Sequence, residues 1–376
     1  MIFLHTSDWH LGAMGGERDL WDDQKYFIDA ICGIVREKRV DAVLLAGDVY
    51  DRSVPAASAI GLYDYAMNRL CGELGVKVLT IAGNHDSAER LASCAGLLDK
   101  AGLYLQGAAQ REPRVVAFAD SQVFFLPWMT EEKIKSLYPE ERDGITGLTE
   151  AYRVAVNHMR EKFIPGKRHL LLSHAFITNA ETSTSDRAAE IGFATQVPAS
   201  VFEGFDYVAL GHIHKPQQVN PFIRYSGSPM AYSFGKEERQ EKSVTLIDTA
   251  AMTQEVVPLP LLHRWTTLTG DYEALLAGEY PAEIREGYVR LNVTDTAVGL
   301  DMLSRLRQVY PNALVVTGKT YDGEDTTITL TMEQLEQMES DPAEVFKSFC
   351  REEMGQEATD HFLQLFAQAV EEADAE

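Results

Sequence analysis

The chain has 376 residues, 45% of them hydrophobic and 24% charged, a soluble globular composition long enough for two or three domains. No apolar run reaches the ~18 residues that a membrane span needs. The net charge of −23 weighs against strong DNA binding by the chain alone, but 16 Asp or Glu against Lys347 and Arg351 fall within 322–376, so a phosphate-binding face nearer the N-terminus is compatible with it.

Taken in order, the apolar runs at 2–6, 41–46, 76–82, 169–172 and 207–210 are short and rich in Val, Leu and Ile. That pattern predicts strands buried on both faces in an α/β domain. They end at Ser7-Asp8-Trp9-His10, Gly47-Asp48, Gly83-Asn84-His85-Asp86, Ser173-His174 and Gly211-His212-Ile213-His214. Between them, 19–38, 56–74 and 88–101 carry apolar residues at helical period. Residues 114–119 and 122–126, split by Asp120-Ser121, predict a hairpin, and 130–163 a mostly helical excursion. The runs 223–226 and 243–248 close a first domain placed at 1–264. A small α/β unit is expected over 265–340, with strands at 288–293 and 313–317 around a helix at 301–310. Residues 341–376 predict an acidic helical segment in which Phe362, Leu365, Phe366 and Ala369 form one apolar stripe. That stripe either docks on a partner or packs on the chain's own core.

The N-terminus has no basic leader, and Cys32, Cys71, Cys94 and Cys350 form no Cys-x-x-Cys pair. Both features favour a cytoplasmic protein with reduced thiols.

The chemistry lies in the five polar clusters. Together they supply Asp8, His10, Asp48, Asn84, His85, His174, His212 and His214. Imidazoles mixed with carboxylates suit Mn, Fe or Zn, and the count is enough for two ions sharing one bridging carboxylate. Two ions about 3.5–4 Å apart can grip the attacking and leaving oxygens of an in-line phosphoryl displacement. Any one cluster could be a capped strand end, but all five, in this order and each at a strand end, point to a metal site. Gly47 and Gly83 are expected in tight turns, and Trp9 and Trp128 in the core or a pocket wall. The 227–229 segment reads as a turn and 236–242 as a solvated loop. His5, His158, His169, His263 and His361 read as ordinary packing or surface residues.

The set resembles the calcineurin-like metallophosphoesterases, and therefore implies a four-layer αββα sandwich. Thr-Ser-Asp-Trp-His-Leu-Gly (6–12), Ala-Gly-Asp-Val-Tyr-Asp (46–51) and Ala-Gly-Asn-His-Asp-Ser (82–87) are similar to the SbcD family of nuclease subunits within it. By that resemblance one ion is held by Asp8, His10, Asp48 and His214, and the other by Asp48, Asn84, His174 and His212. His85 is implied to protonate the leaving oxygen, with Asp86 orienting its ring. Archaeal and eukaryotic relatives have a histidine where this chain has Asp51, whereas bacterial members commonly carry Asp.

The resemblance further implies Mn-dependent 3′→5′ exonuclease activity on duplex DNA ends and endonuclease activity on single strands and hairpins, in repair, recombination and replication. It implies an SbcC-type ATPase partner, a homodimer within a heterotetramer formed through 56–74 and 88–101, a capping role for 265–340 and a docking role for the tail. The alternative is a metallophosphodiesterase of the same fold acting on a small nucleotide or phosphodiester.

Overall fold

The computed structural model describes residues 1–16, 18–186, 196–297, 300–319 and 328–330, with 346–347, 350, 358–359, 361–363 and 365–367 toward the C-terminus. The chain divides into two compact units, Met1–Met14 with Asp19–Leu262, and Gly15–Arg18 with His263–Glu376.

Two six-stranded sheets form the first unit. One runs Thr253–Pro258, Ser243–Asp248, Ile2–Thr6, Ala42–Ala46, Lys77–Ile81, Leu103–Gln106. The other runs Gln217–Asn220, Ile223–Tyr225, Tyr207–Gly211, Arg168–His174, Ser121–Leu126, Val115–Ala117. The four strands from Ile2–Thr6 to Leu103–Gln106 are parallel, as are the four from Ile223–Tyr225 to Ser121–Leu126, and antiparallel strands close every edge but that of Leu103–Gln106. Side chains alternate between faces along a strand, so one strand feeds two cores. Phe125 and Leu172 join Phe3, Leu44 and Leu79 in the layer between the sheets, while Phe124 and Leu171 face outward onto Tyr152, Val156 and Met159 of the helix Leu148–Arg160. Leu4, Val43, Leu45 and Val78 are fully buried on the other outer face. The matching apolar stripe is Phe27, Ile28, Ile31 and Val35 of Trp21–Lys38. The result is the αββα sandwich of the calcineurin-like phosphoesterases.

The 88–101 stretch is less regular than its periodicity predicts. It breaks into Ala88–Leu91, Ala95–Leu98 and a 3₁₀ turn Asp99–Ala101, because Cys94 adopts a left-handed conformation at φ 58°. The 56–74 stretch is helical at Ala57–Met67 and widens to a π-helix at Asn68–Glu73.

The second unit has a four-stranded sheet, Trp265–Gly270, Tyr288–Ala297, Ala313–Lys319, Ile328–Leu330, whose last pair is antiparallel. Leu275 of the helix Tyr272–Ala277 and Leu303 and Leu306 of Leu300–Val309 pack on Val289, Leu291 and Val316. Most of 341–376, including Ala369, lies outside the described residues. Of the apolar stripe, Phe366 stacks on Phe346 at 4.5 Å, while Phe362 and Leu365 are about half exposed, at 48% and 49%. Among the described residues no helix is long and apolar enough to cross a membrane.

Candidate metal centre

Parallel strands end at the same edge, so the polar clusters that follow them converge there. The convergence is tight: His174 Nδ1 lies 2.8 Å from the Ala46 carbonyl, and the His212 amide donates to Asp8 Oδ1 at 2.9 Å. Asp8, His10, Asp48 and His212 all have positive φ, at 53°, 41°, 49° and 103°. Non-glycine residues rarely hold that conformation, and where they do it is commonly at a functional site. Here the chain is pinned by Asp8 N to Gly47 O and His10 N to Asp48 O, both 3.0 Å. Gly83 is needed for space, since a Cβ there would sit 2.1 Å from Asp48 Oδ1.

The side chains form a buried, mixed imidazole–carboxylate set. Asp8 and His174 are fully buried, and His10, Asp48, His212 and His214 are at most 7% exposed. His10 Nε2 and His214 Nε2 face each other at 3.0 Å, and His10 Nε2 is 3.7 Å from Asp48 Oδ2. The same Asp48 oxygen is 3.4 Å from His174 Nε2. Asn84 Oδ1 lies 2.9 Å from His174 Nε2 and 3.0 Å from His212 Nδ1. Asp48 therefore sits between Asp8, His10 and His214 on one hand and Asn84, His174 and His212 on the other. Ligand atoms of Asp8, His10 and His214, of Asp8, Asp48 and His174, and of His10, Asp51 and His85 each lie within 4.8 Å of one another.

Charge is crowded here. Burial alone would raise Asp48, but His174 and His10 beside it hold its carboxyl well below the usual range. Burial pushes His212 down to about 3. Burial lowers His174, but Asp48, Asp8 and the Ala46 carbonyl together lift it to about 9, and Glu237, Asp8 and Asp186 together do the same for His214. Burial raises Asp8. Two imidazole nitrogens facing each other at 3.0 Å, beside two buried carboxylates, fit a divalent cation that both rings and both carboxylates could face. His10 Nδ1 is buried without a hydrogen-bond partner, and the Asp51 carboxylate is 3.7 Å away.

The reading of Asp86 needs correction. Its carboxylate accepts the backbone N–H groups of Gly83 at 2.9 Å, Val49 at 3.1 Å and Tyr50 at 2.9 Å. It ties the turn after Asp48 to the turn at Gly83 and does not hold the His85 ring. That ring is held by the Asp51 carbonyl, 2.8 Å from Nδ1, and the His85 amide donates to Asp48 Oδ1 at 2.9 Å. Burial, with Asp48 nearby, pushes Asp86 up to about 6. His85 is only half buried, unlike the set beside it.

The 236–242 stretch also departs from expectation. Glu237 and Lys242 are 1% and 2% exposed and lie behind His214, so the segment is not a solvated loop. A sequence that mixes basic and acidic residues gives no hint of which charges turn inward. Ser185 and Asp186, which also reach His214, carried no sequence signal. Trp9 is fully buried with Nε1 donating to Thr6 Oγ1, and the Trp128 ring stacks at 5.3 Å on His212, forming a wall of the centre.

Residues 1–216 match the family model described as calcineurin-like phosphoesterase, and residues 261–354 one described as type 5 capsule protein repressor C-terminal domain. The chain is 31% identical over 330 residues to the SbcD subunit of the nuclease SbcCD of Staphylococcus epidermidis, covering 86% of each chain. It is 28% identical over 325 residues to the protein of the same name from Staphylococcus saprophyticus, again covering 86% of each. A dimetal phosphatase from Danio rerio is similar at 12% identity and a TM-score of 0.41, over 69% of this chain and 96% of that one.

Proposed function

This chain belongs to the calcineurin-like phosphoesterase family and is a metal-dependent phosphodiester hydrolase, and on that premise we propose that it is the DNA-cleaving subunit of an SbcCD-type nuclease. The observation that carries the reading is the place of Asp48 between two donor sets, the arrangement a shared bridging carboxylate requires. In this reading Asp8, His10, Asp48 and His214 hold one Mn²⁺, and Asp48, Asn84, His174 and His212 the other. Such ions, when bound, make water more acidic and neutralise charge on the phosphoryl oxygens.

The protein's own groups supply the rest. His85, held at Nδ1 by the Asp51 carbonyl, gives a proton from its other nitrogen to the departing sugar oxygen. Asp86 keeps the Gly83 and Val49–Tyr50 turns in register, so that Asn84 and Asp48 stay aligned. Trp128, stacked on His212, limits the movement of that ring.

The substrate is DNA, cut 3′→5′ from duplex ends and endonucleolytically in single strands and hairpins, in repair, recombination and replication. The acidic balance of the chain supports a division of labour in which an SbcC-type ATPase provides much of the DNA contact. The chain works in the cytoplasm as a homodimer within a heterotetramer. Ile60 and Leu97, exposed on the segments assigned to dimerisation, support that arrangement. Residues 265–340 cap the DNA, and 341–376 dock on the ATPase.

The test is cleavage of end-labelled duplex and hairpin DNA with Mn²⁺, with chelator and a His85→Ala protein alongside. Metal-dependent cutting abolished by the substitution is expected. Hydrolysis of a chromogenic phosphodiester without any cutting of DNA, even with the ATPase added, would favour a small-substrate enzyme instead.

A further inference from the structure

Glu237 and Lys242 form an ion pair, Nζ to Oε2 3.8 Å, with both side chains withdrawn from water. Burying two charges costs several kcal/mol each unless their remaining hydrogen-bonding capacity is met. Here that capacity is met by several partners, Gln240 among them, and part of it reaches His214. Lys242 Nζ donates to the His214 carbonyl at 3.2 Å and to Ser228 Oγ at 2.9 Å. Glu237 accepts the Tyr232 amide at 2.8 Å, the Ser185 amide at 3.3 Å and the Ser185 hydroxyl. Ser185 Oγ lies 2.5 Å from His214 Nδ1. Asp186 accepts the His214 amide at 3.1 Å and its own turn is closed by the Ser183 amide at 2.6 Å.

We infer that Ser185 and Glu237 are positioning residues that fix the tautomer and ring plane of His214. The direction of each bond follows by elimination. An ionised Glu237 can only accept, so the Ser185 hydroxyl proton points to it. The Ser185 oxygen then has only lone pairs left, so His214 Nδ1 must be the donor. Facing a divalent cation the ring gives up its second proton and carries one N–H, which leaves the Nε2 lone pair on the side of the ring facing His10. Lys242 keeps Glu237 ionised in a place with no water, and its bond to the His214 carbonyl holds the backbone of the same residue. Backbone and ring of one ligand are thus fixed from opposite ends of a single buried chain of groups. This rests on the reading that His214 Nε2 faces a divalent ion.

The experiment is calorimetric titration of the metal-free full-length protein with Mn²⁺ alone, beside its melting temperature in chelator, for wild type, Ser185→Ala and Ser185→Thr. Ser185→Ala leaves the Glu237–Lys242 pair in place and removes the hydroxyl that joins Glu237 to the ring. We expect one of two Mn²⁺ sites to weaken about 10- to 100-fold, the scale typical of lost partners behind metal ligands. The melting temperature should fall only slightly, by the one hydrogen bond lost to Glu237, and Ser185→Thr, which keeps the hydroxyl, should restore both. Two wild-type affinities in Ser185→Ala would overturn the inference. So would equal weakening in both variants with a matching fall in melting temperature, because that marks a merely structural role. Wild type taking up no Mn²⁺ would remove the metal reading itself, and this inference with it.

Discussion

His85 Nδ1 lies 2.8 Å from the backbone carbonyl oxygen of Asp51. A carbonyl oxygen only accepts, so Nδ1 carries its proton and Nε2 is the nitrogen that can hold or release another. The ring is anchored by backbone, which no side-chain change at position 51 removes. Its partial exposure distinguishes His85 from the buried rings beside it, and the role proposed for it has a specific kinetic signature.

A general acid matters in proportion to how badly the leaving group needs a proton. His85→Ala should lower the rate on DNA by about 10²–10⁴-fold. Loss on a nitrophenyl phosphodiester, whose leaving group departs unprotonated, should be much smaller, with Mn²⁺ binding unchanged. Equal losses on both substrates would assign His85 to phosphate binding instead.

The glycines that bring the turns together admit no side chain. A Cβ at Gly83 would lie 2.1 Å from Asp48 Oδ1, and one at Gly211 would lie 1.9 Å from the Ala46 carbonyl oxygen. Gly83→Ala should displace the Asp48 carboxylate and reduce Mn²⁺ uptake, and Gly211→Ala should destabilise by at least about 1–3 kcal/mol in denaturant unfolding. Gly33, in the helix Trp21–Lys38 with nothing within 4 Å of its would-be Cβ, is the control. Gly33→Ala should gain about 0.5–1 kcal/mol. The idea fails if all three variants behave alike.

Lys242→Met should cost about 3–5 kcal/mol, because it strands the Glu237 carboxylate in a dry site. Adding Glu237→Gln should recover a large share of that loss, since the uncompensated charge is then gone. Urea unfolding of the two proteins measures both effects. A single variant within experimental error of wild type would show that water reaches Glu237 in solution.

Removing residues 341–376 should abolish co-purification with an SbcC-type ATPase while leaving Mn²⁺-dependent hydrolysis of a small phosphodiester intact. The half-exposed Phe362 and Leu365 are the side chains expected to carry that contact. A truncated chain that no longer folds would instead assign the segment to the protein's own core.

The sequence by itself determined the buried strands and the polar clusters that gather at their ends, while the sandwich was implied by the resemblance of its motifs. Strand identity was legible because a strand buried on both faces is apolar over most of its length, as 2–4, 42–46 and 207–210 show, and a polar cluster directly after it has nowhere to go but the sheet edge. The break at Cys94 was not legible, since helical periodicity records which side chains face inward and says nothing of a single residue turning to positive φ. Nor was the work of Asp86, whose partners are backbone N–H groups contributed by residues 35 or more positions away as well as nearby Gly83. Which charges of 236–242 turn inward was decided only by the tertiary structure, because Glu237 and Glu238 are chemically identical and differ only in what the fold places against them. Local pattern fixes which atoms are available, while the partners that desolvate, pair and orient them come from distant segments of the chain.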